Sequence, residues 1–285
     1  MRRKSALVVP VGYGWHDHAC WFHTGIEAWR EMLVLFFSEG AVRRERLLYI
    51  SDRSEDELAE DLSLLPARDE LLSSGHLQLW SSSAVHGATD EPTVLAQAAR
   101  MRQAADDAVA AGYRCLRLAV DAALPIRDSA DAAHFVHSEM VFDEVAARSP
   151  VLLLCGYDGR YVDQSASAAL AFVHPMRQRA VFGPGCALYA DSENAHSWRL
   201  QGELDLASRE VLEIALNALP VHGDVHLRLD GLSFIDVSGT HALARLAERI
   251  APHRLVLHDP PTALSRIVEV SHDAFPSLRR VAAAL

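Results

Sequence analysis

The sequence predicts an α/β protein of two domains, and three observations carry that reading. Short apolar runs bounded by turn residues alternate with segments of helical spacing along most of the chain. Val151–Leu154 is apolar at every position, as in a strand of a parallel sheet buried on both faces. Gly183-Pro184-Gly185 then punctuates the chain, the polar stretch Asp191–His196 follows, and the alternation starts afresh. Alternation of this kind argues for parallel sheets covered by helices. The first domain is expected over 1–188 and a smaller second one over 189–285, with the change near Gly185–Asn194.

In the first domain Ser5–Val11 reads as a strand and Gly12–Thr24 as a loop rich in glycine, histidine and aromatic residues. Ile26–Glu39 is a helix by the spacing of Ile26, Trp29, Leu33, Phe36 and Phe37, and Arg46–Ser51 is a strand. Ser54–Leu65 is a helix with Ser54 at its N-cap and Glu57 at the capping-box position. His76–Trp80 is a strand, Thr93–Ala111 an alanine-rich helix stopped by Gly112, and Tyr113–Val120 a strand. Ala130–Arg148 is a helix, Val151–Cys155 a central strand, Asp163–Phe172 a helix and Arg179–Phe182 a last strand. In the second domain strands Trp198–Gly202, Val225–Leu229 and Arg254–His258 alternate with helices Ser208–Leu219, Thr240–Ile250 and Thr262–Val270. Phe275–Leu285 is read as a short closing helix.

Half of the 285 residues are hydrophobic and 23% are charged, enough apolar material for sizeable cores. The formal net charge is −11 and neither domain is basic, which argues against direct nucleic-acid binding. No apolar run is long enough to span a membrane, and the one after Met1-Arg2-Arg3-Lys4 is too short for a signal peptide. The four cysteines are scattered, which suits reduced thiols and a cytoplasmic setting. Lys4 is the single lysine among 27 basic residues.

Two blocks of the second domain stand out. Gln201-Gly202-Glu203-Leu204-Asp205-Leu206-Ala207-Ser208 is a strand-to-helix junction. Val225–His241 reads as a buried strand, a tight loop over Asp230–Gly239 and a helix from Thr240; Asp236 and Ser238 are its candidate caps, and Gly239 permits the bend. Together the blocks resemble the STAS domain of anti-sigma-factor antagonists, over roughly Asp191–Leu285. The resemblance implies that Asp205 and Asp236, Val237, Ser238, Gly239 and Thr240 form a partner-binding loop. It also implies a phosphate switch on a serine directly after the aspartate, but that position here is Val237, which has no hydroxyl. Ser238, one residue later, is expected to cap the helix rather than to carry phosphate.

In the first domain His18-Ala19-Cys20, Arg46–Asp52, Val151–Asp158 and His174-Pro175 occur in the order of the MEDS domain, the methanogen/methylotroph DcmR sensory domain. The chain resembles that family over roughly Ser5–Gly183, which implies a RecA/KaiC-like fold used to sense small signals. The loop Gly12–His18 has no Gly-Lys-Ser/Thr, and no other lysine can take that part, so the P-loop is degenerate and hydrolysis is not expected. Nucleotide binding without hydrolysis stays open.

Loops at the carboxyl ends of parallel strands converge on one cleft. The sequence assigns His16, His18, Cys20, His23, Asp121, Cys155 and Asp158 to such a ligand-sensing cleft. His16, His18, Cys20 and His23 lie close enough in sequence to hold a metal or haem, but with 15 histidines in the chain loop packing is the favoured explanation and no metal is assigned. Cys20 has neither an orienting group nor an oxyanion hole in view, so nucleophilic catalysis is not expected. The sequence names no cofactor. The expected function is signal transduction, in which the first domain controls a STAS domain that binds a partner such as a serine-kinase-type anti-sigma factor and so regulates transcription. A metal-, haem- or redox-responsive sensor and a non-switching STAS scaffold are the alternatives.

Overall fold

A computed structural model describes residues 5–7, 9, 11–81, 93–122, 129–178, 185–270 and 278–280. The strands of the first sheet are β1 (Ser5–Leu7), β2 (His18–His23), β3 (Arg46–Ser51), β4 (Leu77–Ser81), β5 (Leu116–Asp121), β6 (Val151–Asp158) and β7 (Met176–Gln178). They form one seven-stranded parallel sheet in the order β1-β7-β2-β6-β5-β3-β4. Side chains alternate across it, as the two-residue period of a strand requires. Ala19, Trp21, Leu47, Tyr49, Leu152 and Leu154 face α1 (Ile26–Val42), α2 (Glu55–Asp61) and α3 (Arg68–Ser73), meeting Trp29, Leu33, Phe36 and Phe37. Cys20, Leu48, Leu118, Leu153, Cys155 and Tyr157 pack on the other side with α4 (Val94–Ala110), α5 (Ser129–Arg148) and α6 (Gln164–Val173).

One sequence expectation needs correcting here. The segment Gly12–Thr24 is not a loop throughout: it contains β2, which lies between β7 and β6 and is buried along almost its whole length. His-Ala-Cys-Trp-Phe-His has no β-branched residue and, being covered on both faces, no polar alternation, so the usual strand signals are missing. The loop leading from β2 into α1 is therefore Thr24-Gly25, and Gly12–Asp17 sits at the opposite, amino edge of the sheet. The strand read over Arg179–Phe182 falls outside the described residues.

The second sheet is mixed. Its strands are β8 (Ala187–Ala190), β9 (Ser197–Leu204), β10 (Val225–Arg228), β11 (Leu232–Ile235), β12 (Leu255–His258) and β13 (Leu278–Arg280). The order is β11-β9-β10-β12-β13, and β8 lies antiparallel against the first half of β9. β8 and β11 thus share one edge of β9, and Gly202 marks the handover at a φ of 95°. A Cβ there would lie 2.2 Å from the Gly185 carbonyl oxygen, so only glycine fits. The helices are α7 (Arg209–Ala218), α8 (Val237–Arg249) and α9 (Thr262–Val270). Part of the tail read as a helix is instead strand β13.

The domains share a core. Helices α5 and α6 form a middle layer with the first sheet on one side and α7 and β8 on the other. One continuous cluster of buried apolar residues runs from Leu118 and Met140 to Trp198, Leu212 and Leu216. Polar contacts stitch the same joint. The ring Nδ1 of His137 lies 2.7 Å from the Ala218 carbonyl oxygen at the end of α7, and Ser165 donates to Glu210 at 2.6 Å.

Candidate functional site

The polar residues of the middle layer gather under β2 and β6. His18 opens β2, Cys155 and Tyr157 point from β6 to the same side, and Glu139 and Asp143 come one helical turn apart on α5. His174 ends α6. His18, Glu139, Cys155 and His174 are all buried, and their ligating atoms lie within 4.8 Å of one another. His18 Nε2 is 3.1 Å from Glu139 Oε2 and 3.4 Å from Cys155 Sγ. His174 Nε2 is 3.3 Å from the same carboxylate oxygen, and Tyr157 donates its hydroxyl to the other one.

The far nitrogens of both histidines are anchored. Nδ1 of His18 is 3.1 Å from Asp143 Oδ1, and Nδ1 of His174 is 2.7 Å from the Leu170 carbonyl oxygen. The second Asp143 oxygen accepts the Ala190 backbone N–H of β8 at 2.6 Å, so this carboxylate belongs to both domains.

Charge settles accordingly. Burial opposes a charge on His18, but the Asp143 and Glu139 carboxylates outweigh it and raise its pKa. Burial together with the His18 charge lowers that of His174. Burial would push the Glu139 carboxyl up, yet the His174 and His18 rings beside it hold it well below the usual range. Burial and Glu139 keep the Cys155 sulfur a thiol, and burial pushes the Cys20 thiol up to about 12. A thiol so reluctant to ionise is a poor nucleophile.

The sequence-derived cleft divides in three. His18 and Cys155 meet in the buried cluster. Cys20 shares that sheet face without joining the four ligand atoms, and His16 lies at the amino edge with its Nδ1 2.9 Å from the Ala146 carbonyl oxygen. His23, Asp121 and Asp158 are at the carboxyl edge, where His23 Nε2 is 4.0 Å from Asp121. There Ser51 and Arg53 approach Asp121 at 3.4 and 3.7 Å, and Arg53 pairs with Asp61, which also accepts from Tyr49 at 3.0 Å. Burial, with Asp52 and Asp61 nearby, raises the Asp121 carboxyl to about 6 against the pull of Arg53. Asp158 holds Arg160, whose guanidinium lies about 3.4 Å from where a Gly25 Cβ would stand, at the start of α1. The grouping of His16, His18, Cys20 and His23 around one ion is thus not formed; sequence proximity misled because the segment is an extended strand.

The second-domain junctions are both capped by aspartate. Asp205 accepts the N–H groups of Ala207 and Ser208, and Ser208 accepts that of Asp205. Asp236 accepts from Gly239 at 2.8 Å and starts α8 at Val237, earlier than the expected Thr240. Ser238 is not the cap: it lies inside the first turn and donates to Asp236 at 2.7 Å. A phosphate on it would set a dianion against that carboxylate. Gly239 and Thr240 are buried helix residues, and the bend falls at Asp236. Beside the caps, Leu206, Phe234 and Val237 are exposed by 75, 49 and 66%. Pairing of β9 with β11 brings them together, since Glu203 is in register with Phe234 and Leu204 with Ile235.

A parallel α/β domain with an interior polar cluster is thus joined through a packed layer to a smaller mixed-sheet domain that carries an aspartate-capped loop with exposed apolar side chains. Residues 17–175 match the family model of MEDS, the methanogen/methylotroph, DcmR sensory domain, and the chain belongs to that family. Residues 188–272 match the model described as "Mlab, STAS domain". The fusion supports a regulatory signalling role, and both families are non-catalytic. No curated protein matches the chain. Among solved structures, the DUF1998 helicase MrfA bound to DNA and AMPPNP is similar at 14% identity and a TM-score of 0.30. That match covers 93% of this chain and 39% of the helicase, and a score so low carries no argument. Among the described residues no helix is long and apolar enough to cross a membrane.

Proposed function

We propose that this protein is a signal-transduction regulator acting in the cytoplasm, whose STAS domain binds a protein partner on the surface made by Asp205, Leu206, Phe234, Asp236 and Val237. The observation that carries this reading is the exposure of Leu206, Phe234 and Val237 at the paired ends of β9 and β11. Apolar side chains grouped on a surface and rimmed by carboxylates fit a protein interface. A serine-kinase-type anti-sigma factor is the partner the STAS likeness favours, and its capture would regulate transcription. The sensory domain would control the surface through α5 and α6, which pack against α7 immediately after the Asp205 cap.

The test is affinity capture from the native host with the full chain and with a Leu206→Arg, Val237→Arg variant. Recovery of an anti-sigma factor by the first and not the second supports the reading. Equal recovery by both removes the surface from the argument. Partner binding that no small molecule alters would favour a fixed scaffold instead.

A further inference from the structure

We propose that His18, Glu139, Cys155 and His174 form a four-coordinate metal site of the zinc type, enclosed between the first sheet and helices α5 and α6. Two imidazole nitrogens, one sulfur and one carboxylate oxygen are a familiar tetrahedral set for zinc. Bond lengths of about 2.0–2.3 Å to such ligands place neighbouring donor atoms roughly 3.3–3.6 Å apart. The separations of His18 Nε2, Cys155 Sγ and His174 Nε2 from Glu139 Oε2 are 3.1, 3.3 and 3.3 Å, and His18 Nε2 to Cys155 Sγ is 3.4 Å. Four of the six separations among these atoms thus match a coordination shell, and all six are within 4.8 Å.

The outer contacts are those a metal histidine needs. Each ring is fixed through Nδ1, by Asp143 for His18 and by the Leu170 carbonyl for His174, which turns both Nε2 atoms inward. Tyr157 orients the carboxylate from its other oxygen. His174 Nε2 is fully buried and meets Glu139 Oε2 at 3.3 Å without the alignment of a hydrogen bond, a position in which a polar atom is expensive to leave poorly partnered. Among the four ligands one thiolate and one carboxylate cancel a dication, and the remaining Asp143 carboxylate is held by the His18 Nδ1–H and the Ala190 N–H. On binding, the Cys155 thiol proton and a His18 Nε2 proton pass to solvent, and the metal takes their place. Haem does not fit, because both Nε2 atoms converge on one point instead of flanking a plane.

The experiment uses the full chain, stripped by chelator under mild denaturation and refolded with Zn²⁺ or Co²⁺. One metal per chain is expected, with a rise in melting temperature. The cobalt form should show a thiolate-to-metal charge-transfer band and strong tetrahedral visible bands. His174→Ala should weaken binding at least a hundredfold, and Cys155→Ser should abolish the charge-transfer band. A chain with Cys20→Ala, Cys115→Ala and Cys186→Ala keeps Cys155 as its only cysteine and should retain the band; these cysteines are buried too, so its circular dichroism is compared with that of the wild type. Failure of the refolded wild-type chain to take up either metal would overturn the site, as would a band lost from a chain that keeps only Cys155 and the wild-type circular dichroism.

Discussion

His18, Glu139, Asp143 and His174 in the first domain are each at most 5% exposed, whereas Leu206 and Val237 in the second are 75 and 66% exposed. The first domain has ionisable groups where apolar ones would be expected, and the second has apolar groups where polar ones would be. Interior polar groups must be satisfied by exact partners, so changing them is felt in folding. Exposed apolar groups contribute little to the fold, so changing them is felt in association. A buried polar cluster and an exposed apolar surface therefore differ in which measurement reads their variants.

On folding stability this contrast gives an ordered series. Glu139→Ala strips the partner from His18 and Tyr157 inside the core and should cost roughly 3–5 kcal/mol, read by urea titration of the full chain. A loss below about 1 kcal/mol would mean that the cluster is hydrated rather than packed. Asp121 comes next. Its folded pKa, about 6, lies above the ordinary 3.8, so the folded state holds its proton more tightly and stability falls as pH rises between those values. Asp121→Asn removes that loss and should stabilise the protein by about 2 kcal/mol at pH 8 but not at pH 3.5, as melting curves at the two pH values would show. Asp236→Ala deletes a helix cap and should cost about 1 kcal/mol. Leu206→Arg with Val237→Arg should change stability by less than about 0.5 kcal/mol while lowering partner affinity at least about tenfold, measured by titration calorimetry. If the last pair unfolds the protein, the division between interior and surface fails. Asp236 is the poorer probe of docking, because its loss weakens the helix as well.

Much of the fold was legible because its signals are local. Val151–Leu154 announced a doubly covered strand, and Ser54 with Glu57 announced a capping box that is formed. The strand β2 was missed because its burial comes from tertiary neighbours, not from its own pattern. The same holds for the site. His18, Cys155 and His174 were visible as motifs, but Glu139 and Asp143 lie more than a hundred residues from His18, on a helix whose acids belong to no motif. The signal that finds them is phase: Val136, Met140 and Ala147 are buried on α5, and Glu139 and Asp143 fall on that same apolar stripe. The cap at Asp236 was read correctly, and Ser238 was misassigned because both residues have capping side chains and only geometry decides between them.

Asp143 has a consequence for observation. One of its oxygens meets the His18 ring and the other holds the Ala190 amide in the first strand of the second domain. A backbone proton in one domain thus rests on the same carboxylate that steadies an imidazole in the other. A shift of Asp143 at either contact would therefore be felt at the other, and the exchange rate and chemical shift of that single amide can follow it with no label attached.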